Sequence, residues 1–261
     1  MLLKSVSLAG LNEASKPEIR HAWFCFGQHG LVVLGHEAVH FRVCKTKLLN
    51  DIIGNLLCFM PIGLTLSCYR AFHLPHHRNP FGAEDPELPL RRALGKSFAP
   101  PFDLARGLKL WGVSYLGFSF KELVIFSSML PKSSVIDRIF TTALWITALV
   151  VFYPTSLNVL ALWFYALGTT YISKVRIQGW YEHGLPAMDT NRYKLSSPLL
   201  RLIFPHNIWV HYEHHKYPSI PFYNLTKVRA LEVSPRIYSI NEMAESLDSQ
   251  RLEGGDLKRA A

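Results

Sequence analysis

The chain has 261 residues, of which 49% are hydrophobic, and a formal net charge of +9. Its 28 lysines and arginines are scattered between apolar segments and form no dense run interleaved with aromatic residues, which disfavours a nucleic-acid-binding protein. A membrane protein with basic cytoplasmic loops explains the charge more simply. The four cysteines include no Cys-x2-Cys pair, which gives no sign of a zinc knuckle or an iron–sulfur cluster, and we expect reduced, buried thiols.

The first predicted element is an apolar helix over residues 22–35. Its 14 residues, at about 1.5 Å each, reach about 21 Å, which is short of the roughly 30 Å hydrocarbon core of a bilayer. We therefore expect a tilted or partial membrane span. Residues 1–20 contain several charges and little continuous apolar sequence, so no cleavable signal peptide is indicated.

Residues 48–72 are apolar enough to form a transmembrane helix, but they lie between His40 and His73. A full crossing would place these two histidines on opposite faces of the bilayer. If both contribute to one metal centre, the segment cannot cross. Pro61 and Gly63 near its middle allow a bend, and we predict a re-entrant or interfacial segment.

Two other segments are predicted to lie at the membrane surface or outside it. Residues 104–130 mix aromatic residues with lysine, arginine and glutamate, which is typical of a helix lying along the lipid headgroups. From Asn224 onward the chain is polar. There Ser239-x2-Glu242 predicts a capping box at the start of a final helix, and Gly254-Gly255 predicts its end.

The strongest membrane signal is the apolar stretch of residues 139–173, which is interrupted at Pro154. Its length suits two short spans joined by a tight turn better than one span, because a helix needs about 20 residues to cross the hydrocarbon core. Positive residues bracket this hairpin, whereas its turn carries none, and the positive-inside rule then places both ends in the cytoplasm. The bracketing residues are Lys132, Arg138, Lys174 and Arg176.

Nine of the 12 histidines fall into three boxes plus one outlier. On a helix, residues three and four apart share a face, so each box presents its imidazoles from one side of one turn. We predict that all nine bind metal. The other three, His21, His29 and His206, have no partner at ligand spacing and are interpreted as ordinary histidines. The boxes are His36-x3-His40, His73-x2-His76-His77 and His211-x2-His214-His215, and the outlier is His183.

The number of predicted ligands narrows the choice of metal and of reaction. A catalytic zinc takes three protein ligands and a water, whereas nine imidazoles suit two metals with four or five each and favour two irons that activate O2. His36-Glu37-Ala38-Val39-His40 also matches the His-Glu-x-x-His motif of zinc proteases, in which Glu37 would be the general base. That distant alternative, a membrane zinc protease, leaves seven clustered histidines unexplained.

Two further hypotheses are alternatives to the two-iron interpretation. One is a non-catalytic membrane protein that stores or passes metal, which would bind metal without consuming O2. The other is a soluble di-iron carboxylate bundle, which uses paired Glu-x-x-His motifs. It is disfavoured because the chain has only Glu37-x2-His40.

The boxes and their flanking residues resemble the membrane fatty acid desaturase superfamily, which includes acyl desaturases, lipid hydroxylases and carotenoid ketolases. The resemblance extends from about Gly35 to Leu225. Members usually carry a complete two-helix hairpin before the first box, whereas residues 1–35 hold at most one short span, so we expect a naturally short or truncated N-terminus. The stretches that resemble the family are Gly35–His40, His73–Arg78 with Glu84-Asp85-Pro86, and His211–Pro221.

The resemblance implies a non-haem di-iron oxidoreductase that uses O2 to oxidise an unactivated C–H bond of a lipid, above all by fatty acyl desaturation. A lipid hydroxylase and a carotenoid ketolase or hydroxylase of the same superfamily are the alternatives. It implies two iron ions held by His36, His40, His73, His76, His77, His183, His211, His214 and His215. No catalytic residue beyond this metal centre is predicted. Candidates for orienting the ligands from outside are Asp85, Glu182, Asn207 and Glu213.

A lipid or acyl-chain substrate and an electron donor are the predicted partners. Candidates to line the substrate path are Trp180, Tyr181, Trp209 and Tyr212. Because the chain has no cysteine cluster, Gly-rich dinucleotide fingerprint or fused haem domain, the electrons must come from an external donor of the ferredoxin or cytochrome b5 type. An acidic donor would dock on a basic patch formed by Arg78, Arg91, Arg92 and Lys96.

The predicted fold is an all-α integral membrane protein. It has few transmembrane helices, additional interfacial or re-entrant helices, and a cytoplasmic histidine-rich cap, so that the active site lies on the cytoplasmic face. We expect one desaturase-like domain over residues 1–261. It is divided into an N-terminal segment, 1–21, a catalytic membrane domain, 22–223, and a polar cytoplasmic tail, 224–261.

Overall fold

The computed structural model is mostly helical in the part of the chain that it describes. The described residues are 17–95, 109–110, 112–114, 116, 119–153, 156–184, 190–195, 201, 204–233, 236–239, 241–242 and 245, with residues 17–23 described by their backbone alone. The predictions that involve Pro154, Lys96, Gly254-Gly255 and the side chain of His21 lie outside the described residues.

The described residues form mostly helices and one short pair of strands, which confirms the predicted all-α class. Turns of wider, π-helical form at Ile53–Phe59 and Leu167–Tyr171, and tighter 3-10 turns at Met60–Ile62 and Pro205–Asn207, connect some of the helices. The described strands, β1 (Tyr193–Lys194) and β2 (Tyr238–Ser239), form one short parallel pair. The helices are α1 (Pro17–Val39), α2 (Lys47–Ile52), α3 (Leu66–Arg78), α4 (Glu87–Leu94), α5 (Phe120–Met129), α6 (Val135–Phe152), α7 (Leu157–Ala166), α8 (Ile172–His183), α9 (His211–Lys216) and α10 (Phe222–Leu231).

Helix α1 is longer than the sequence predicted. Its 23 residues, at about 1.5 Å each, reach about 34 Å. It begins at Pro17, a residue favoured in the first turn of a helix, and it includes His36 of the first box in its last turn. The predicted limits at residues 22 and 35 were therefore wrong, because polar residues that marked those limits lie within the helix.

Two glycines allow α1 to pack closely on the π-helical turn Ile53–Phe59. A Cβ atom at Gly35 would lie 2.7 Å from the ring of Phe59, and one at Gly54 would lie 2.3 Å from the Cβ atom of Ala38. Both distances are shorter than side chains tolerate, so only glycine permits this approach of the two backbones. The first histidine box is thereby fixed against the segment that follows it.

The segment between the first two boxes bends by about a right angle instead of continuing as one helix. Lys47–Ile62 and Leu66–Arg78 are bent by 96° relative to each other. Between them Gly63 adopts a φ of 78°, a left-handed conformation that favours glycine. The ring centroids of His40 and His73 are therefore only 5.3 Å apart. This geometry agrees with the prediction that the segment does not carry the two boxes to opposite faces.

Polar side chains in this bent segment form hydrogen bonds with backbone groups near where the helices begin and end. The Nδ2 atom of the buried Asn50 donates to the carbonyl of Ala38 at 2.9 Å, and its Oδ1 atom accepts from the backbone N–H of Val43 at 3.1 Å. The Oδ1 atom of Asn55 accepts from the backbone N–H of Leu66 at 3.0 Å. Backbone groups that the turns leave unpaired are thus satisfied within the protein, as any segment that dips into lipid requires.

Helix α6 presents apolar side chains to its surroundings over its whole length. None of its residues is buried, and the mean hydropathy of its 18 residues is 1.8. Among the described helices it alone is long and apolar enough to cross a membrane by itself. The bent pair Lys47–Ile62 and Leu66–Arg78 passes the same test only when it is counted as one span.

The second half of the predicted hairpin continues well beyond its predicted end. Helix α7 passes through the π-helical turn into α8, which ends at His183. Lys174 and Arg176 are buried within α8, with 6% and 2% of their surface exposed, and Arg176 pairs with the carboxylate of Glu122. The positive-inside argument from these two residues was therefore wrong, because their charges lie inside the protein and not in a cytoplasmic loop.

The two segments predicted at the membrane surface or outside it have different outcomes. Residues 104–130 are not one helix in their described part, because a turn at Ser119 precedes α5. The capping box is confirmed: the backbone N–H of Ser239 donates to Glu242 Oε2 at 2.7 Å, and the backbone N–H of Glu242 donates to Ser239 Oγ at 3.2 Å. Helix α10 spans the predicted boundary between residues 223 and 224.

Two apolar clusters on α1 hold the helices that bear the histidines. Each buried aliphatic or aromatic side chain contributes about 1.5–3 kcal/mol to folding. Because α1 takes part in both clusters, it fixes the first box relative to the second and the third. The cluster towards α9 and α10 contains Val33, Tyr193, Leu195, Phe204, Ile208, Trp209, Val210 and Leu225. The cluster towards α3 and α7 contains Ala38, Val39, Phe59, Ile62, Leu66, Leu167, Tyr171 and Ile172.

Candidate metal centre

The ends of four helices bring all nine predicted ligands to one place. Helix α1 ends at the first box, α3 ends at the second, α8 ends at the outlier, and the short helix α9 consists largely of the third. Six of the nine are buried and three are half-buried. The buried ones are His36, His40, His73, His76, His211 and His214, and the half-buried ones are His77, His183 and His215.

Five of the imidazoles form a first group. Their ligand atoms all lie within 4.8 Å of one another, and the Nε2 atoms of His77 and His214 are 3.0 Å apart. Two donors that each bind one ion at about 2.1 Å are about 3–4 Å apart. The spacing is therefore that of ligands around a single metal. The members are His36, His40, His73, His77 and His214.

The other four imidazoles form a second group beside the first. His183 places a ligand atom within 4.8 Å of those of His76 and His215, and its Nε2 atom is 3.0 Å from Nε2 of His211. The Nε2 atoms of His211 and His215 are 3.1 Å apart. The rings of His77 and His215 are stacked with their centroids 4.0 Å apart, so the two groups are direct neighbours.

Most of the imidazoles are neutral donors that suit metal ions. Burial lowers the pKa of His211 and of His214 well below the usual 6.5, and the neighbouring imidazoles lower it further. Buried nitrogens without a hydrogen-bond partner are unfavourable unless a shared cation accepts their lone pairs. Among the predicted ligands these nitrogens are Nδ1 and Nε2 of His36 and His73, Nε2 of His40 and His76, and Nδ1 of His77, His211 and His215. The residues present therefore fit two bound metal ions.

Asp85 holds a second-group ligand from outside. Its Oδ2 atom is 2.9 Å from Nδ1 of His76, which assigns the proton to Nδ1 and leaves Nε2 for a metal. It also accepts from the backbone N–H groups of Phe81 and Glu87, at 2.6 and 2.8 Å. Burial alone would raise the pKa of Asp85, but the contacts with His76 and the two backbone bonds hold it below its usual value. Asp85 is thus placed as the sequence predicted.

Glu182 approaches the outer nitrogen of another second-group ligand. Its Oε1 atom is 3.5 Å from Nδ1 of His211 and accepts from Nε2 of Gln178 at 2.7 Å. Gln178 in turn bonds through Oε1 to Nε2 of the buried His29. A chain of polar side chains thus runs from α1 to within 3.5 Å of Nδ1 of His211, which has no hydrogen-bond partner. Gln178 was missed and His29 was interpreted as ordinary, although the spacing of four residues between Gln178 and Glu182 on α8 is a signal for such a pair.

Glu213 and Asn207 bond elsewhere than to the predicted ligands. Glu213 accepts from Arg192 at 2.6 Å and from Arg229 at 2.8 Å, and all three residues are buried. Asn207 donates to the carbonyl of Phe222 at 3.4 Å. The expectation that these two side chains orient imidazoles directly is thus corrected: they fasten the third box and the turn before it to β1 and α10.

Glu37, the general base of the protease alternative, has another partner. Its Oε2 atom accepts from the backbone N–H of Phe222 at 3.1 Å. The carboxylate therefore binds the start of α10, where helix N–H groups lack partners within the helix. Among the described residues Glu37 belongs to neither group of potential ligands. The His-Glu-x-x-His match thus supplies two ligands and a structural contact, and nothing in this geometry favours a protease.

A cavity of about 320 Å³ lies beside the histidines. Most of its wall is apolar and comes from α3, α5 and the α7–α8 segment, with Leu123, Phe126 and Leu167 among the lining residues. Imidazoles of both groups also line it. An apolar chain held in this cavity would therefore lie against the site where metals fit.

One of the four aromatic residues predicted to line the substrate path does so. Trp180 lies in the cavity wall. Tyr181 and Trp209 instead take part in the apolar cluster towards α9 and α10, and the guanidinium of Arg192 lies over the ring of Tyr212 at 5.6 Å. These three expectations are corrected, because packing in the core accounts for the residues.

The described part of the chain is thus mostly helical and brings nine histidines together beside an apolar cavity. The chain belongs to the fatty acid desaturase family, because the family model described as "Fatty acid desaturase" matches residues 21–240. The predicted superfamily is therefore confirmed. Family membership and the two groups of histidines are together compatible with a di-iron site.

Curated relatives share the family name at low identity. The chain is similar to a sphingolipid delta(4)-desaturase, DES1, of Drosophila melanogaster, with 26% identity over 80% of this chain and 65% of the relative. It is similar to a dihydrorhizobitoxine desaturase of Bradyrhizobium elkanii, with 24% identity over 81% of this chain and 66% of the relative. A chloroplastic omega-3 fatty acid desaturase of Ricinus communis is 26% identical over 78% of this chain and 51% of its own length.

The chain thus spans between about half and two thirds of the length of these curated relatives. No solved structure matches it.

Proposed function

We propose that this protein is an O2-dependent di-iron oxidoreductase of the membrane that desaturates an acyl chain of a lipid. The observation that supports the proposal most is the division of nine buried or half-buried imidazoles into adjacent groups of five and four beside an apolar cavity. Desaturation is favoured over hydroxylation or ketone formation because the three curated relatives described above are all named desaturases.

In this proposal each group of imidazoles holds one iron. When bound, the two irons would supply the redox chemistry with O2 that removes hydrogen from an unactivated C–H bond. The first iron would be held by His36, His40, His73, His77 and His214. The second would be held by His76, His183, His211 and His215.

The protein's own residues keep this site in the right state and geometry. Burial lowers the pKa of seven of the nine imidazoles, so their lone pairs stay available for metal. Burial alone would also lower the pKa of His76, but Glu87 and Asp85 raise it. Asp85 holds the Nδ1 proton of His76, and Glu182 stands at Nδ1 of His211, so both rings turn Nε2 inward. Outer partners of this kind contribute about 10–100-fold to metal affinity.

The cavity positions the substrate and excludes water. Its apolar wall binds a hydrocarbon chain by the hydrophobic effect, without specific polar contacts along most of its length. The carbon that reacts is the one held nearest the two histidine groups. Small changes in this position decide whether a double bond, an alcohol or a ketone results, because reacting atoms must be aligned closely.

We propose that α6 spans the membrane and that the metal centre faces the cytoplasm. An external ferredoxin or cytochrome b5-type protein would supply electrons. Of the basic patch predicted for its docking, Arg78 and Arg92 are exposed, whereas Arg91 is turned towards Glu87 and the cavity. Arg92→Glu should slow turnover with the donor at low salt. Unchanged turnover would argue against this docking surface.

The test of the proposed function uses the full chain purified in detergent. We expect about two irons per chain, O2 consumption after anaerobic reduction, and a lipid product with a new double bond detected by mass spectrometry. His77→Ala should abolish product formation, whereas the control His206→Ala, outside both groups, should retain it. One zinc per chain with activity that depends on Glu37 would instead indicate a protease, and metal binding without O2 consumption would indicate a storage or transfer protein.

A further inference from the structure

His76 has a carboxylate on each side. Asp85 occupies Nδ1, the nitrogen that faces away from the other histidines, at 2.9 Å. On the other side, Oε1 of Glu87 is 3.7 Å from Nε2, the nitrogen left for a metal. This Nε2 atom is buried and has no hydrogen-bond partner, and the His76 side chain is 1% exposed. A second carboxylate therefore reaches the inner side of the second group.

Local structure fixes the position of Glu87. It is the first residue of α4, directly after Pro86, and its backbone N–H donates to Oδ1 of Asp85 at 2.8 Å. Arg91, one turn further along α4, donates to Oε2 of Glu87 at 3.4 Å. One carboxylate oxygen is thus taken by Arg91, while the other points to His76. The same Asp85 side chain that orients His76 therefore also sets the backbone from which Glu87 extends.

The distance is that of two ligands on one ion. Two donors bound at about 2.1 Å lie about 3–4 Å apart, and the Oε1–Nε2 separation of 3.7 Å falls in that range. Glu87 also lines the cavity together with His76, His183 and His211. Glu182 also has a ligand atom within 4.8 Å of those of His183 and His211, but its contact with His211, at 3.5 Å, is with Nδ1, the nitrogen opposite the one that meets the other imidazoles.

We propose that Glu87 is a carboxylate ligand of the second metal, an inference that rests on the proposed function. The first metal would then have five neutral imidazoles, and the second would have four imidazoles and one anionic oxygen. The carboxylate offsets part of the second ion's charge and, as a harder ligand, favours its more oxidised form. The two irons would therefore be chemically inequivalent.

The experiment measures iron directly in the full chain, purified in detergent and loaded with 57Fe(II). Wild type should bind two irons and give two Mössbauer quadrupole doublets. Glu87→Gln, which keeps the shape and removes the charge, should bind one iron as before and the other at least about 10–100-fold more weakly. Only one doublet should change. Glu87→His, which restores a donor, should regain the second iron with altered doublet parameters.

Two matched variants separate a ligand from a structural acid. Glu84→Gln removes an exposed carboxylate from the same loop and should leave both irons unchanged. Arg91→Gln removes the partner of Glu87 and should weaken the second iron less than Glu87→Gln does.

Several results would overturn the inference. Wild type with two irons and a Glu87→Gln variant with the same affinities and doublets would refute it and leave the proposed function intact. Equal loss of both irons in Glu87→Gln would also refute it. Wild type that binds no iron would refute the proposed function itself.

Discussion

The two groups of histidines differ in what surrounds them. In the described part of the chain, the carboxylates nearest to imidazoles lie at second-group members, namely His76, His183 and His211. The first group is held by packing, as when the ring of Tyr69 stacks on His73 with centroids 5.4 Å apart. Similar histidine boxes thus lie in different surroundings. We expect the first site to be rigid and apolar, and the second to be adjusted by charge.

The largest effect should come from removing a ligand of either group. His214→Ala should eliminate the first metal and His183→Ala the second, and either should lower activity more than about 100-fold, since the loss exceeds that of an outer partner. Iron analysis by mass spectrometry of each purified variant checks this. If the groups are separate sites, each variant retains about one iron; loss of both irons in each would show that the division into five and four is wrong.

The next largest effect should be a loss of stability that affects both groups of histidines equally. Glu213 lies on α9, which supplies ligands to both, and breaking its buried pairing with Arg192 and Arg229 should cost about 3–5 kcal/mol. Glu213→Gln should therefore lower thermal stability markedly. Lys216→Gln is the control on the same helix, because its partner Glu232 is a surface contact. Similar stability of the two variants would contradict the assignment.

The same carboxylate predicts a pH dependence. Burial opposes ionisation of Glu213, but the hydrogen bonds and charges of Arg229 and Arg192 hold its pKa below its usual value. A carboxylate with a lowered pKa in the folded state contributes stability above its unfolded pKa of about 4.3, and that stability disappears as the pH falls through the folded pKa. Wild type should thus lose stability below about pH 4.3 more steeply than Glu213→Gln, as measured by thermal unfolding at several pH values.

A smaller effect should be confined to the second group. Asp85→Asn removes the charge that orients His76 and should weaken one iron about 10–100-fold while leaving the other unchanged. Metal competition with a graded chelator measures both affinities. An equal loss of affinity for both irons would show that Asp85 stabilises both groups.

The smallest effect should come from the chain of polar side chains behind His211. Gln178→Leu removes the hydrogen bond to Glu182, and a loss of about 0.5–1.5 kcal/mol corresponds to a change of up to about tenfold in affinity for the second iron. Gln178→Glu, which keeps an oxygen for His29, serves as the comparison. An unchanged affinity for the second iron in Gln178→Leu would show that Glu182 keeps its position without the hydrogen bond from Gln178.

The sequence predicted best the parts of the site that depend on local spacing. The boxes lie on helix ends, where residues three and four apart share a face, so the spacing of the histidines alone predicted that they come together. The division of the second and third boxes between two groups could not be seen in that spacing. Asp85 lies in the loop directly after the helix that carries its partner His76. Glu87 and Gln178 were missed because their partners are brought to them by the tertiary fold, as His29 is brought to Gln178.

Charged residues misled the sequence prediction where the fold pairs them at long range. Lys174 and Arg176 had the appearance of a cytoplasmic flank, yet α8 continues through them, and Arg176 finds Glu122 in a distant helix. Glu213 stands between His211 and His214 in the third box, which suggested a contact with them. Two arginines far along the chain bind it instead, and hydrophobic periodicity gives no information about such partners.

The contact between Glu37 and the backbone of Phe222 bears on when the protein can take up metal. It joins the middle of the first box to the start of α10, across 185 positions of the chain. The ribosome delivers the first box long before the third box and this contact can form. In the proposed function, metal loading would therefore be a late event in biosynthesis. A nascent chain that ends before residue 211 would lack the ligands of the third box, and one that ends before residue 222 would lack the closing contact.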